Sequence, residues 1–263
     1  MHALAIVGVT GRMGQALLRA LREQSSLRLS GAVASSNSSR LGRDAAGEGE
    51  PTGILITADL EAGIRGASVA VDFSAGAGVA AHARISASAG VPLLVGATGF
   101  DRAARGVLEQ AAQRIPVLIA PNTSVGVTLV AKLVSLATSG LGPSYDVEIF
   151  EAHHRGKRDA PSGTALALGE AVAGARGQSL SELASYDRAA GTPRAPGSIG
   201  FSSLRAGDIV GEHTVSFAAD GERIEITHRA TDRMTFARGA LRAAEWLAAQ
   251  PAGLYGMRDV LGV

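Results

Sequence analysis

The chain of 263 residues is 46% hydrophobic and 19% charged, with a mean hydropathy of +0.18. It therefore holds enough apolar material for a sizeable core, at the length where one domain becomes two, and disorder is excluded. Lys plus Arg number 25 and Asp plus Glu 24. A net charge of +1 offers no field to gather a polyanion, which argues against nucleic acid as a partner. There is no cysteine, so disulfides, thiolate nucleophiles, thiolate zinc sites and iron–sulfur clusters are ruled out, and any chemistry falls to His, Lys, acids, hydroxyls or a bound cofactor.

Through the first half, short apolar runs alternate with helical stretches, the pattern of a parallel sheet covered by helices. Strands are expected over 4–9, 27–33, 69–73, 92–96 and 117–120, and helices over 13–24, 79–89 and 101–114. Residues 34–53, rich in Ser, Gly and Arg without periodicity, read as a long surface loop. The longest uncharged stretches, between Arg84 and Asp101 and between Arg114 and Lys132, contain Pro, Gly, Ser or Asn, unlike a lipid-facing helix. No membrane span is expected. The first apolar run lacks the basic flank of a signal peptide, and the expected location is cytoplasmic.

After Pro121 the order changes. Helices are expected over 127–140 and 164–175, and strands over 146–152, 198–205, 212–219 and 222–229, the last two joined by a tight turn at Asp220-Gly221. Strands in succession imply a mixed or antiparallel sheet, hence a second, α+β domain. An amphipathic helix over 234–249 ends the pattern. The fold class is thus α/β, a doubly wound, Rossmann-like parallel-sheet domain with a second, α+β domain.

Directly after the first strand, Gly8-Val9-Thr10-Gly11-Arg12-Met13-Gly14 opens a helix. Side-chain-free positions there let backbone N–H groups face a pyrophosphate. The glycines at 8, 11 and 14 depart from the strict G-x-G-x-x-G spacing, and an ordinary strand-to-helix turn is the competing reading. Two later strand ends, Gly96-Ala97-Thr98 and Ala120-Pro121-Asn122-Thr123, fall at the carboxyl edge where open α/β folds bind ligands; both also suit plain loop and cap chemistry.

The densest group of ionisable residues runs from Glu151 to Ala165: His153, His154, Lys157 and Asp159, then Pro161-Ser162-Gly163-Thr164 at a helix start suited to a carboxylate or phosphate. Adjacent strand-end histidines point to opposite faces, so His153 and His154 are not expected to share a metal ion, and no metal site is assigned. From spacing alone a solvated basic loop with a serine cap fits as well.

These residues resemble the signature of the 4-hydroxy-tetrahydrodipicolinate reductase (dihydrodipicolinate reductase) family: an acid, two histidines, a lysine four residues after the first histidine, and Asp-x-Pro-Ser-Gly-Thr. The resemblance extends to Gly8–Gly14, to Gly96–Phe100, to Asn122–Gly126, to Arg205–Thr214 and to Arg233–Ala237. It implies reduction of a cyclic imine dicarboxylate by a nicotinamide cofactor in the diaminopimelate route to lysine, with loss of water. His153 and Lys157 would carry proton transfer; His154, Ser162, Gly163 and Thr164 would hold the substrate's carboxylates. Cofactor contacts would come from Gly8, Val9, Thr10, Gly11, Arg12, Met13, Ser35, Ser36, Gly96, Ala97, Thr98, Ala120, Pro121, Asn122 and Thr123.

It also implies a cofactor domain of residues 1–125 and 235–263, a substrate and tetramerisation domain of 126–234, and a homotetramer. His82, His213 and His228 are given no catalytic role, although His213 lies in a strand that matches the family and could support the site. Ser35 or Ser36 stands where an acid would bind the ribose 2′-hydroxyl of NADH, so NADPH is the expected cofactor, with acceptance of both NADPH and NADH the competing reading. Competing functions are another two-domain nicotinamide oxidoreductase or a non-catalytic dinucleotide sensor.

Overall fold

Strand β1, His2–Val7, shows how the first sheet is built. Alternate residues point to opposite faces: Leu4 and Ile6 enter one apolar layer, Ala5 and Val7 the other, and all four are buried. The strand ends before Val9, earlier than expected, because Gly8 turns into the left-handed region at φ +82. The computed structural model describes residues 1–47, 49–187 and 191–263. The chain divides into two units, Met1–Val125 with Met234–Gly262, and Gly126–Arg233 with Val263.

The first unit continues with α1 (Arg12–Leu21), β2 (Leu27–Val33), β3 (Ile56–Thr57), α2 (Leu60–Ile64), β4 (Val69–Asp72), α3 (Val79–Ala89), β5 (Leu93–Val95), α4 (Arg102–Ala111) and β6 (Pro116–Ile119). The second unit holds most of α5 (Val125–Leu141), then β7 (Asp146–His153), α6 (Gly163–Ala175), α7 (Leu180–Leu183), β8 (Ala184–Ser185), β9 (Ile199–Arg205), β10 (Gly211–Ala219) and β11 (Glu222–Ala230). The chain then returns to the first unit as α8 (Met234–Leu247), β12 (Gly253–Tyr255) and α9 (Met257–Leu261).

The first sheet is parallel, in the order β12-β6-β5-β4-β1-β2-β3. One face packs on α1, α8 and α9 through Leu17, Leu241, Leu247 and Val260, the other on α2, α3 and α4 through Ile64, Ala83 and Leu108. Each fully buried aliphatic side chain of this kind contributes about 1.5–3 kcal/mol. The fifth expected strand is flanked by β12, which the sequence reading missed because three residues carry no period of their own.

The stretch after β2 is not a plain surface loop. Asp44 accepts hydrogen bonds from the N–H groups of Ala46, Thr52 and Gly53 and from the Thr52 hydroxyl, at 2.8–3.0 Å. Those backbone N–H groups, led by Thr52, hold its carboxyl down at about 2. The loop closes on itself and buries Ala45 completely. Residue 48 of this loop lies outside the described residues.

In the second unit the sheet runs β11-β10-β7-β9-β8, with β10 antiparallel to both neighbours and β9 parallel to β7 and β8. Val147, Ile149, Ile199, Phe201, Val215 and Phe217 face a core shared with Val130 and Val134 of α5 and Leu168 and Val172 of α6. Among the described residues no helix is long and apolar enough to cross a membrane.

Candidate functional site

In the first unit the loops at the carboxyl ends of β1, β4 and β5 are fitted together through glycine. A methyl group on Gly8 would lie 2.9 Å from the Phe73–Ser74 backbone, and one on Gly76 would lie 2.6 Å from the Thr98 carbonyl oxygen. On Gly14 it would lie 2.4 Å from the Gly8 carbonyl oxygen, and on Gly96 it would enter the Phe73 ring. Helix α1 begins at Gly11 with no side-chain cap, so its first turn is lined by backbone, and Thr10, Gly11, Arg12 and Met13 are partly or fully exposed there. Such a turn is the cradle a pyrophosphate needs. Gly8 and Val9 donate their N–H groups to Val33, and Gly96 and Ala97 donate theirs to Asp72.

Sequence reasoning missed the β4 loop. The buried Asp72 carboxylate accepts from Ser74 N–H at 2.8 Å and from His82 Nδ1 at 2.8 Å, fixing Phe73–Gly76 between the other two loops. The same strand-end argument that singled out Gly96 and Ala120 applied to Phe73.

Not every expected cofactor residue is free to act through its side chain. Thr98 is exposed, but Thr123 is buried: its hydroxyl donates to the Phe236 carbonyl at 2.7 Å, and its own carbonyl lies where a methyl on Gly239 would fall, at 1.9 Å. The Thr123 side chain thus ties the end of β6 to α8. Asn122 accepts from Ser124 N–H, Pro121 is exposed and Ala120 is buried. Ser35 and Ser36 are exposed, and Ser35 accepts from Asn37 N–H through its hydroxyl and from Ser38 N–H through its carbonyl. Arg40 donates to the Ala45 carbonyl of its own loop.

In the second unit the ionisable signature forms one connected group. Glu151 is fully buried near the end of β7. Arg205, on β9, grips both carboxylate oxygens, Nη1 to Oε2 at 2.8 Å and Nη2 to Oε1 at 2.7 Å. His153 Nδ1 donates to Oε2 at 2.6 Å, and Ser162 N–H to Oε1 at 3.2 Å. Burial favours the neutral acid, but the hydrogen bonds from Arg205, Ser203 and His153 outweigh it and hold the Glu151 carboxyl at about 2. His153 is pulled below the usual imidazole range, burial outweighing the attraction of Glu151, with Lys157 and Arg205 adding repulsion.

His213, on β10, lies edge-on to His153 with ring centroids 5.2 Å apart. It is 4% exposed, and burial first, then the neighbouring His153, lowers it to about 4, so it stays neutral. Its Nε2 is 2.9 Å from the Ser162 hydroxyl, which also accepts from Ala165 N–H and so caps α6. The Ser162 side chain is thus engaged within the fold, where it holds the helix start. Beside it Gly163 is exposed, Thr164 and His154 are partly exposed, and Lys157 Nζ pairs with Asp159 at 2.8 Å. His153 Nε2 makes no hydrogen bond among the described residues. The structure thus gathers His153, Lys157, Ser162, Gly163 and Thr164, and adds Glu151, Arg205 and His213.

Two family models cover this chain, "Dihydrodipicolinate reductase, N-terminus" over residues 2–123 and "Dihydrodipicolinate reductase, C-terminus" over 126–261. The chain belongs to the dihydrodipicolinate reductase family. Family relatives named 4-hydroxy-tetrahydrodipicolinate reductase include one from Thiobacillus denitrificans, 50% identical over 262 residues (99% of this chain, 98% of the relative). Another, from Anaeromyxobacter dehalogenans, is 47% identical over 266 residues, covering 100% and 98%. Among solved structures, a dipicolinate-bound dihydrodipicolinate reductase from Paenisporosarcina sp. TG-14 shares the fold at a TM-score of 0.79 and 23% identity, covering 98% of this chain and 99% of that one. An amine dehydrogenase from Mycobacterium smegmatis shares it more loosely, at a TM-score of 0.65 and 13% identity over 96% and 94%. The family's fold, a Rossmann-like parallel sheet joined to a mixed-sheet domain, is the one expected.

Proposed function

We infer that this member of the family reduces 4-hydroxy-tetrahydrodipicolinate to tetrahydrodipicolinate with loss of water, and so acts as an oxidoreductase in lysine biosynthesis by the diaminopimelate route. The observation that carries this reading is the grouping of His153, Lys157 and the start of α6, a proton carrier beside a cation and a helix N-terminus. When bound, reduced nicotinamide cofactor supplies the hydride; Gly8–Met13, Gly96–Thr98 and Ala120–Thr123 would hold it, a fit supported by the uncapped start of α1 and by glycines whose replacement would fill the cradle.

His153 delivers the proton the reduced ring needs, from Nε2, since Nδ1 is committed to Glu151. Lys157 exchanges its partner Asp159 for a substrate carboxylate and supports proton delivery; Gly163 N–H, Thr164 and His154 hold the dicarboxylate. The cytoplasm is the location this reading assigns. A homotetramer is supported by the outer face of the second sheet, where Phe150 and Leu204 are 42% and 43% exposed opposite the packed core face.

NADPH is the preferred cofactor in this reading. Ser35 and Ser36 offer no carboxylate to a ribose 2′-hydroxyl, the nearby acid Asp44 is spent on four donors of its own loop, and Arg12 is exposed beside the glycine turn. Loss of a charge-assisted bond of about 1.5–3 kcal/mol disfavours NADH. The test follows absorbance at 340 nm with freshly condensed aspartate semialdehyde and pyruvate as substrate. Both cofactors are compared, in the wild type and in His153→Ala and Lys157→Ala. Turnover in either variant should fall about a hundredfold with cofactor affinity unchanged. Near-wild-type turnover in a variant overturns that residue's role, and a kcat/KM ratio favouring NADH overturns the preference.

A further inference from the structure

The groups around His153 come from three strands and one loop: Glu151 on its own strand β7, Arg205 on β9, His213 on β10, and Lys157 with its partner Asp159 on the loop that follows β7. His153 and Arg205 are direct cross-strand neighbours, as are Glu151 and His213. We propose that Glu151 and Arg205 are positioning residues for proton transfer: Arg205 clamps the Glu151 carboxylate, which fixes the proton of His153 on Nδ1 and leaves Nε2 as the atom that gains and loses the transferred proton. This rests on the reading of His153 as the proton carrier.

The bond pattern carries the argument. A carboxylate whose two oxygens are gripped by one guanidinium has a fixed plane. Arg205 is in turn anchored, because it also donates to the carbonyls of Leu204 and Asp159. An ionised carboxylate only accepts, so the nitrogen 2.6 Å from it must carry hydrogen in both charge states of the ring. The remaining nitrogen, near Gly211, is bare in the neutral ring and protonated in the cation; there a methyl on residue 211 would come within 3.1 Å of it. His213 closes the other side of the ring edge-on, and its Nδ1 is buried without a hydrogen-bond partner among the described residues. A neutral ring at that place adds no charge to compete with Glu151. Arg205 also joins two parts of the site, since its bond to the Asp159 carbonyl fixes the segment that carries the partner of Lys157.

The proposal separates Glu151 from a purely structural carboxylate by pH. Glu151 stabilises protonated His153, so its loss lowers the pH at which His153 gives up its proton. The descending limb of kcat/KM, where activity disappears as His153 deprotonates, should move to lower pH by about one unit or more in Glu151→Gln. At neutral pH turnover should fall about a hundredfold, with part of the loss recovered on acidification. Two-bond nitrogen–proton NMR of the wild type should show neutral His153 with hydrogen on Nδ1, and Glu151→Gln should show a tautomer mixture. Because Glu151→Gln strands the Arg205 guanidinium, Glu151→Gln/Arg205→Met is measured beside it, with melting curves for both. A wild-type enzyme that reduces the substrate while either folded variant keeps the wild-type pH limb, or a wild-type ring with hydrogen on Nε2, overturns the inference. A wild type without reductase activity overturns the functional reading instead, and the NMR result still decides the positioning role.

Discussion

Replacing Ser162 by Ala tests whether its hydroxyl belongs to the fold or to the substrate. The hydroxyl caps α6 by accepting from Ala165 N–H at 3.1 Å, and removing an N-cap of this kind costs about 0.5–2 kcal/mol. The same oxygen is the partner of His213 Nε2 at 2.9 Å. His213 is buried and its Nδ1 already lacks a partner, so the substitution leaves both ring nitrogens unpaired, at a further cost of about 1–3 kcal/mol. The sum, about 1.5–5 kcal/mol, is to be read from urea denaturation of Ser162→Ala.

A double-mutant cycle with His213→Phe separates the two contributions. In that background there is no imidazole to strand, and Ser162→Ala should cost only the cap, about 1 kcal/mol. Equal costs in the two backgrounds would refute the reasoning. So would a variant of unchanged stability whose KM for substrate alone had risen, because that is the behaviour of a substrate contact.

Two other outcomes are expected. Gly8→Ala places a methyl 2.9 Å from the Phe73–Ser74 backbone at a φ of +82, so the loop must move and the dissociation constant for reduced cofactor, from fluorescence titration, should rise at least about tenfold; unchanged affinity would dissociate this packing from cofactor binding. Glu151 titrates at about 2 in the fold against 4.5 when unfolded. A depressed carboxyl contributes fully above pH 4.5 and is lost as pH falls toward 2, about 3 kcal/mol across that window. Denaturation of wild type and Glu151→Gln in steps through it should give a steep acid decline in the first and a flatter one in the second. Parallel curves would remove Glu151 from the acid response.

The parallel-sheet half was legible because its central strands are continuous apolar runs separated by helices of ordinary length. Expected and observed helices coincide at Val79–Ala89, and expected and observed strands at Leu27–Val33. Strands β3, β8 and β12 were not legible: two or three residues become a strand only because a neighbour's edge is there to pair with. The same limit applies to Thr123. Its place after a strand suggested a ligand, but its packing on Phe236 and Gly239, more than a hundred residues on in the chain, follows no local pattern.

The residues that hold His153 did leave a trace in the sequence, one that requires three strands to be read at once. On β7 the inward positions run Val147, Ile149, Glu151, His153; on β9, Ile199, Phe201, Ser203, Arg205; on β10, read backward, Phe217, Val215, His213. Each strand changes from apolar to polar on its core face, and the registers set these changes side by side. A single strand of this kind resembles a frayed end entering solvent. Three in register place a carboxylate, a guanidinium and two imidazoles under partial or complete burial, which is tolerable only if they satisfy one another. The bonds from Arg205 and His153 to Glu151 meet that requirement. The site is thus the continuation of the hydrophobic core of the second unit. The same alternation that packs the sheet at one end brings these ionisable groups together at the other, and a shift of one residue in the β7–β9 register would turn Arg205 away from Glu151 altogether.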